Sequence, residues 1–214
     1  MNVLVTGFDP FGGEAVNPAL EAIKKLDGKM VAGARVVTRE LPTVRWKAID
    51  GLKTAIREVQ PALIIAIGQA GGRMDITPER VAINVDDFRI ADNEGNQVVD
   101  ERIATDGPAA YWSTLPIKKI VADLRAEGIP ASVSNSAGTF ICNHLFYGLM
   151  HELAAEGNVR RGGFIHIPYL PEQAAKLTGQ PSMALETIVR GLTAAIAASL
   201  TTAEDERHSG GTIC

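Results

Sequence analysis

Pro61-Ala62-Leu63-Ile64-Ile65-Ala66-Ile67-Gly68 is the stretch whose reading decides the fold. An uninterrupted apolar run from Ala62 to Ile67, opened by a proline and closed by a glycine, is too short for a buried helix. It also lacks the polar alternation of a sheet with one wet face, so it predicts a strand covered on both sides. Before it, Trp46 to Val59 has the spacing of an amphipathic helix ended by Pro61. Working outward, Val3 to Thr6 reads as a second buried strand ending at Gly7, Pro18 to Leu26 as a helix and Ala34 to Glu40 as a strand. Downstream the pattern predicts a hairpin or irregular strand pair between Val81 and Val99, a helix from Ile117 to Glu127 and a strand from Ala131 to Ser134. A helix from about Thr139 to Ala155, a strand from Gly163 to Ile167 and helices from Pro171 and from Ser182 to Leu200 complete it. Buried strands alternating with helices give an α/β fold in which helical layers cover a mostly parallel central sheet.

Composition bounds the function. With 214 residues and 46% hydrophobic content the chain can bury a full core, and no linker divides it. Residues 1–200 are therefore expected to form a single catalytic α/β domain, and 201–214 a disordered polar tail. A formal charge of −4 with scattered Lys and Arg argues against a nucleic-acid groove or a membrane-surface helix, and points to a small partner. Met1 to Thr6 reads at once as a strand and not as a leader, and no apolar run is long enough to span a bilayer. Two cysteines, one of them the last residue, Cys214, cannot make a disulfide framework, so a reducing cytoplasm is expected.

In an open α/β sheet, ligands bind beyond the carboxyl ends of the strands. Loops of unusual chemistry gather there if the strands are parallel: Gly7-Phe8-Asp9-Pro10-Phe11-Gly12-Gly13, Gly68-Gln69-Ala70-Gly71-Gly72-Arg73, the Ser134 to His144 segment, and the end of the strand holding His166. Gly7 and Gly12 have a P-loop gap, but Gly13 and Glu14 stand where Lys and Ser or Thr would hold phosphate. The second loop does not reproduce a dinucleotide fingerprint, so tight turns explain these glycines equally well. Phe8 and Phe11, in a chain with only 5% aromatics, either line an apolar slot or cap the core.

Ser134-Asn135-Ser136-Ala137-Gly138-Thr139-Phe140-Ile141-Cys142-Asn143-His144 leads from a strand into a helix. With Thr139 as N-cap, Cys142 falls in the first helical turn, where free N–H groups and the helix dipole favour a thiolate. A cysteine nucleophile needs a base. His144 and His151 lie about 200° and about 180° round the helix from Cys142, and His208 is in the polar tail, which leaves His166. For the acid that orients the base, spacing leaves Asp75, Glu79 and the Asp86-Asp87 pair open. The four histidines show no metal-ligand spacing, so neither metal nor cofactor is expected.

Gly68 to Arg73 with Ile76-Thr77-Pro78-Glu79-Arg80-Val81-Ala82-Ile83-Asn84 resembles the glutamate signature of the pyroglutamyl peptidase I family. Ser136 to Asn143 is similar to that family's cysteine signature, and Gly163-Phe164-Ile165-His166-Ile167-Pro168-Tyr169 to its histidine segment. Thr6 to Gly13 and Asn93-Glu94-Gly95-Asn96-Gln97 also match, so the resemblance runs from residue 1 to about 200. It implies a three-layer α/β/α sandwich, a Cys142-His166-Glu79 triad and removal of N-terminal pyroglutamate from peptides through a thioester acyl-enzyme. It further implies a homo-oligomer, dimer or tetramer, and an oxyanion donor near Arg89. Pyroglutamate is a flat, neutral lactam, so the resemblance assigns Phe8, Phe11 and Phe140 to apolar walls and Gln69 to the ring amide. The residues by themselves also fit a cysteine amidase or thioesterase of other acyl specificity, or a phosphorylase-like ligand domain with Cys142 incidental.

Overall fold

A computed structural model describes residues 1–211; residues 212–214, including Cys214, lie outside the described part. In chain order the elements are β1 (Asn2–Phe8), α1 (Pro18–Leu26), β2 (Met30–Val31), β3 (Ala34–Leu41), α2 (Lys47–Val59), β4 (Leu63–Gln69), β5 (Thr77–Pro78) and β6 (Val81–Ile83). After them come β7 (Ala110–Trp112), α3 (Ile117–Ala126), α4 (Ile141–Ala155), β8 (Arg161–Ile167), α5 (Pro171–Ala174) and α6 (Leu185–Thr201). The main sheet has the order β2-β3-β1-β4-β8-β5. Its four long strands run parallel, and the two-residue strands β2 and β5 are antiparallel at its edges.

The alternation of side chains along each strand builds the layers. Val3 and Val5 of β1, Leu63, Ile65 and Ile67 of β4, and Ile165 and Ile167 of β8 enter one core with α1, α3 and α6. Their neighbours Leu4, Phe8, Ile64, Ala66 and Phe164 enter a second core with α2 and α4. This is the expected three-layer sandwich. The same period of two turns Gly68 and His166, which pair across β4 and β8, toward the α4 layer.

Two expected strands form differently. From Ala131 to Ser134 only isolated bridges join Ile76 to Ala131 and Glu79 to Ser134, because Pro78 between them has no N–H to donate to the ladder. The Val81 to Val99 stretch does not pair wholly within itself: β6 pairs with β7, while Asp86 bridges to Glu101 and the Phe88 N–H reaches the Val98 carbonyl. Helix α6 starts at Leu185 and not Ser182, since Ser182 is bridged to Tyr169. Beyond α6, Asp205 accepts the backbone N–H groups of Lys118 and Lys119, which caps the start of α3, and the Gly210 carbonyl accepts from Arg80.

Candidate active site

Parallel strands deliver their following loops to one edge, and there a cleft of about 900 Å³ opens. Its lining includes Phe11, Gln69, Arg89, Phe140, Cys142 and His166, so six of the expected site residues meet in it. Phe8 does not line it. As the last residue of β1 it alternates with Leu4 into the α2–α4 core, is 2% exposed, and lies with its ring 6.4 Å from that of Phe164. Phe11, past the strand end, takes the wall position instead, its ring 6.1 Å from Phe140, which also meets Phe88 edge-on at 4.9 Å.

Glu79 is the acid brought to His166. Its Oε1 accepts from Nδ1 of His166 at 2.7 Å, and its own N–H bonds to the Phe164 carbonyl, so β8 fixes both the imidazole and the backbone that aims the carboxylate at it. Of the alternatives left open by spacing, Asp86 is spent elsewhere: it pairs with His144 Nδ1 at 2.9 Å and with Arg45 Nε at 2.9 Å. Glu79 is fully buried. Burial works against its ionisation, but the hydrogen bond and charge of His166 and the charge of Arg73 outweigh that and hold its carboxyl below the ordinary range. Burial lowers His166 below the usual histidine value, with Glu79 opposing the shift. The imidazole Nε2 has no hydrogen-bond partner among the described residues.

Cys142 is the second residue of α4, whose N-cap is Phe140. Thr139 is not the cap, because its hydroxyl donates to the Asp87 carbonyl at 2.8 Å. Sγ is tucked against β4 and β8: a Cβ built on Gly68 would lie 3.0 Å from it and 2.7 Å from Cζ of Phe164. Only a residue without a side chain leaves that room. Burial pushes the Cys142 thiol up to about 12, with Glu79 adding to the rise and Arg73 opposing it, against the pull of the helix start toward a thiolate. No hydrogen bond joins Sγ to His166 among the described residues, and both line the same cleft. Catalytic hydrogen bonds of this kind often tighten only on a substrate.

Sequence reasoning missed Arg73 as a partner of Glu79, although it stands at the end of the Gly68 to Arg73 loop; its Nη1 bonds Oε1 at 2.6 Å. Glu14, Asp87, Tyr169, Thr178 and Gln180 also line the cleft. Sequence reasoning offers Asp87 only as an orienting acid and Tyr169 only as the end of the histidine segment; Thr178 and Gln180 lie in a polar loop that carries no signal. Gln69 Oε1 accepts from Gln173 at 3.0 Å, which leaves its NH₂ as the group offered to the cleft. Among the described residues no cluster of His, Cys, Asp or Glu has metal-binding geometry, and no helix is long and apolar enough to cross a membrane.

A family model described as pyroglutamyl peptidase matches residues 1–202. The chain is 59% identical over 210 residues to the pyrrolidone-carboxylate peptidase of Bacillus cereus, covering 98% of each chain. It is 60% identical over 211 residues to that of Cupriavidus taiwanensis, covering 98% of this chain and 97% of the relative. The crystal structure of pyroglutamyl peptidase I from Bacillus amyloliquefaciens superposes with a TM-score of 0.95 at 53% identity, over 97% of this chain and 99% of that one.

Proposed function

From the premise that the chain belongs to the pyroglutamyl peptidase family, we propose that Cys142 is its nucleophile, His166 its acid and base, and Glu79 the carboxylate that orients the imidazole. The activity is that of a cysteine-type hydrolase removing an N-terminal pyroglutamyl residue from peptides. One observation carries the assignment: His166 is held by Glu79 through Nδ1 at 2.7 Å, its one side-chain hydrogen bond among the described residues, in the cleft that Cys142 lines from the first turn of α4.

The chemistry follows from those atoms. Burial favours the thiol and the free imidazole, and His166 Nε2 takes the Sγ proton as sulfur attacks the pyroglutamyl carbonyl carbon. Glu79 stabilises the imidazolium that forms. The oxyanion is met by the free N–H of Cys142 at the helix start and by a donor from the Arg89 side of the cleft. His166 then protonates the departing amine, the C–N bond breaks, and a thioester remains. Water, deprotonated by His166, cleaves it to free pyroglutamate and thiol.

Phe11 and Phe140 flank the flat lactam and Gln69 answers its amide, so a prolyl substrate, lacking the ring carbonyl, leaves a polar group of the site unpaired. Residues 1–200 act as one catalytic unit in this reading, in the reducing cytoplasm expected of a chain with a free thiol. The homo-oligomer, dimer or tetramer, is part of the same reading and rests on the family resemblance. A fluorogenic pyroglutamyl amide tests the function: the protein hydrolyses it, the prolyl analogue is cleaved at a small fraction of that rate, and Cys142→Ser is inactive. Equal rates on both amides, or an active serine variant, would sink the reading.

A further inference from the structure

The guanidinium of Arg73 reaches three places at once. Nη1 donates to Glu79 Oε1 at 2.6 Å and to the Thr77 hydroxyl at 2.7 Å, while Nη2 donates to the Ser136 carbonyl at 3.0 Å. Glu79 Oε1 is therefore shared between Arg73 and Nδ1 of His166, whereas its Oε2 is buried without a partner. Ser136 belongs to the loop that leads into α4 and Cys142. We propose that Arg73 is a positioning residue of the hydrolysis, one cation that locks the carboxylate under the imidazole and ties the loop delivering the nucleophile to the same point.

The inference rests on the triad assignment and extends it. Geometry first: two donors converging on Oε1 leave the carboxylate one orientation, so Nδ1 of His166 is held and Nε2 is turned to the cleft. Charge second: the groups around His166 are Glu79 and Arg73 from the segment after β4 and Cys142 from α4, with Glu14, Asp87, Arg89 and Tyr169 in the cleft wall. Among them Arg73 is the cation bonded to the orienting carboxylate. It weakens the hold of Glu79 on a proton at His166, which keeps the imidazole free to act as base, and it opposes the rise of the thiol. A residue serving only to neutralise the buried carboxylate could be replaced by any cation, whereas one that positions it also needs the fork that reaches the Ser136 carbonyl.

Arg73→Gln and Arg73→Lys separate the roles. For Arg73→Gln, kcat falls about 10–100-fold with KM nearly unchanged, the size typical of losing a group that orients a catalytic side chain. The acid limb of kcat/KM, which reports protonation of His166, moves to higher pH by about one unit, since removing a cation near the imidazole raises its pKa. Arg73→Lys keeps the charge but not the fork, so its acid limb stays at the wild-type position while kcat remains severalfold low. An unmoved limb in Arg73→Gln, or wild-type kcat in Arg73→Lys, overturns the proposal; the lysine variant decides it alone if the glutamine variant does not fold. Iodoacetamide titration of the wild type keeps the premise separate: activity that survives alkylation of Cys142 removes the triad reading, whatever the Arg73 variants do.

Discussion

Two buried histidine–carboxylate–arginine clusters sit near the start of α4, and only one of them has its histidine in the lining of the cleft. His166–Glu79–Arg73 and His144–Asp86–Arg45 have the same parts at similar distances: 2.7 and 2.6 Å in the first, 2.9 and 2.9 Å in the second. The difference lies in the second imidazole nitrogen. His144 Nε2 accepts the backbone N–H of Trp46 at 3.0 Å, so this ring carries its proton on Nδ1, gives it to Asp86 and has nothing left to exchange. His166 bonds only through Nδ1 among the described residues, and it lines the same cleft as Cys142. A catalytic triad is thus recognised by the valence it leaves open, not by the triad itself.

Breaking each cluster in turn separates the two kinds of work. His166→Ala should cost about 10³-fold or more in kcat even in its folded fraction, because general acid–base catalysis alone contributes about 10²–10⁴-fold. His144→Ala should leave the turnover of its folded fraction intact and cost stability alone. It strands a fully buried Asp86 and frees Trp46, which sits at a φ of 64° with the Arg45 guanidinium 5.0 Å over its ring. Removing one member of such a buried pair costs about 3–5 kcal/mol, so the melting temperature drops steeply while the folded fraction retains its turnover. A stable His144→Ala protein, or one whose folded fraction is inert, would erase the distinction.

A smaller effect tests why the free nitrogen meets a sulfur. Gly68→Ala places a methyl group 2.7 Å from the Phe164 ring and 3.0 Å from Sγ, so ring or sulfur must shift. The expected result is a kcat reduced about 10–100-fold with substrate binding retained, since small displacements of a reacting group carry costs of that order. Unaltered turnover would mean that Sγ does not react from the place it occupies beside β4.

The layers of the fold were legible because they depend on runs of side chains: apolar strands bounded by Pro and Gly, with helix-period segments between them, left few other architectures. Local competition was harder to read. Thr139 looks like a cap until the Asp87 carbonyl is brought near it, and Phe8 looks like a wall until the strand phase turns it inward. For the site, elimination found His166 because its rivals lie on the wrong face of α4 or in the tail. Choosing Glu79 over Asp75 or Asp86 needed family resemblance, since carboxylate pairing is settled by which segment β8 lies beside. Arg73 was invisible for the same reason: nothing in the order of residues says that a side chain from one loop will reach the carbonyl of Ser136 in another.

Asp92 gives the comparison a third case, a buried carboxylate with no histidine. Its oxygens accept the N–H groups of Arg45, Glu94 and Asn96 and the side chain of Asn96, so unlike Glu79 it keeps no orphan atom. Burial opposes its charge, but the backbone bond from Arg45 and those from Asn96 and Glu94 prevail and hold its pKa below the ordinary value. A depressed folded pKa means stabilisation that is complete above the unfolded value of about 3.9 and fades as pH falls through the lower folded value. Asp92→Asn turns an acceptor toward donors into an NH₂ group and should cost about 1–3 kcal/mol near neutrality. Below about pH 4 the gap between variant and wild type should close as the native carboxylate takes up its proton. Urea unfolding at pH 7 and at successively lower pH measures this directly, and a gap of constant size would show that Asp92 holds its loop by shape and not by charge.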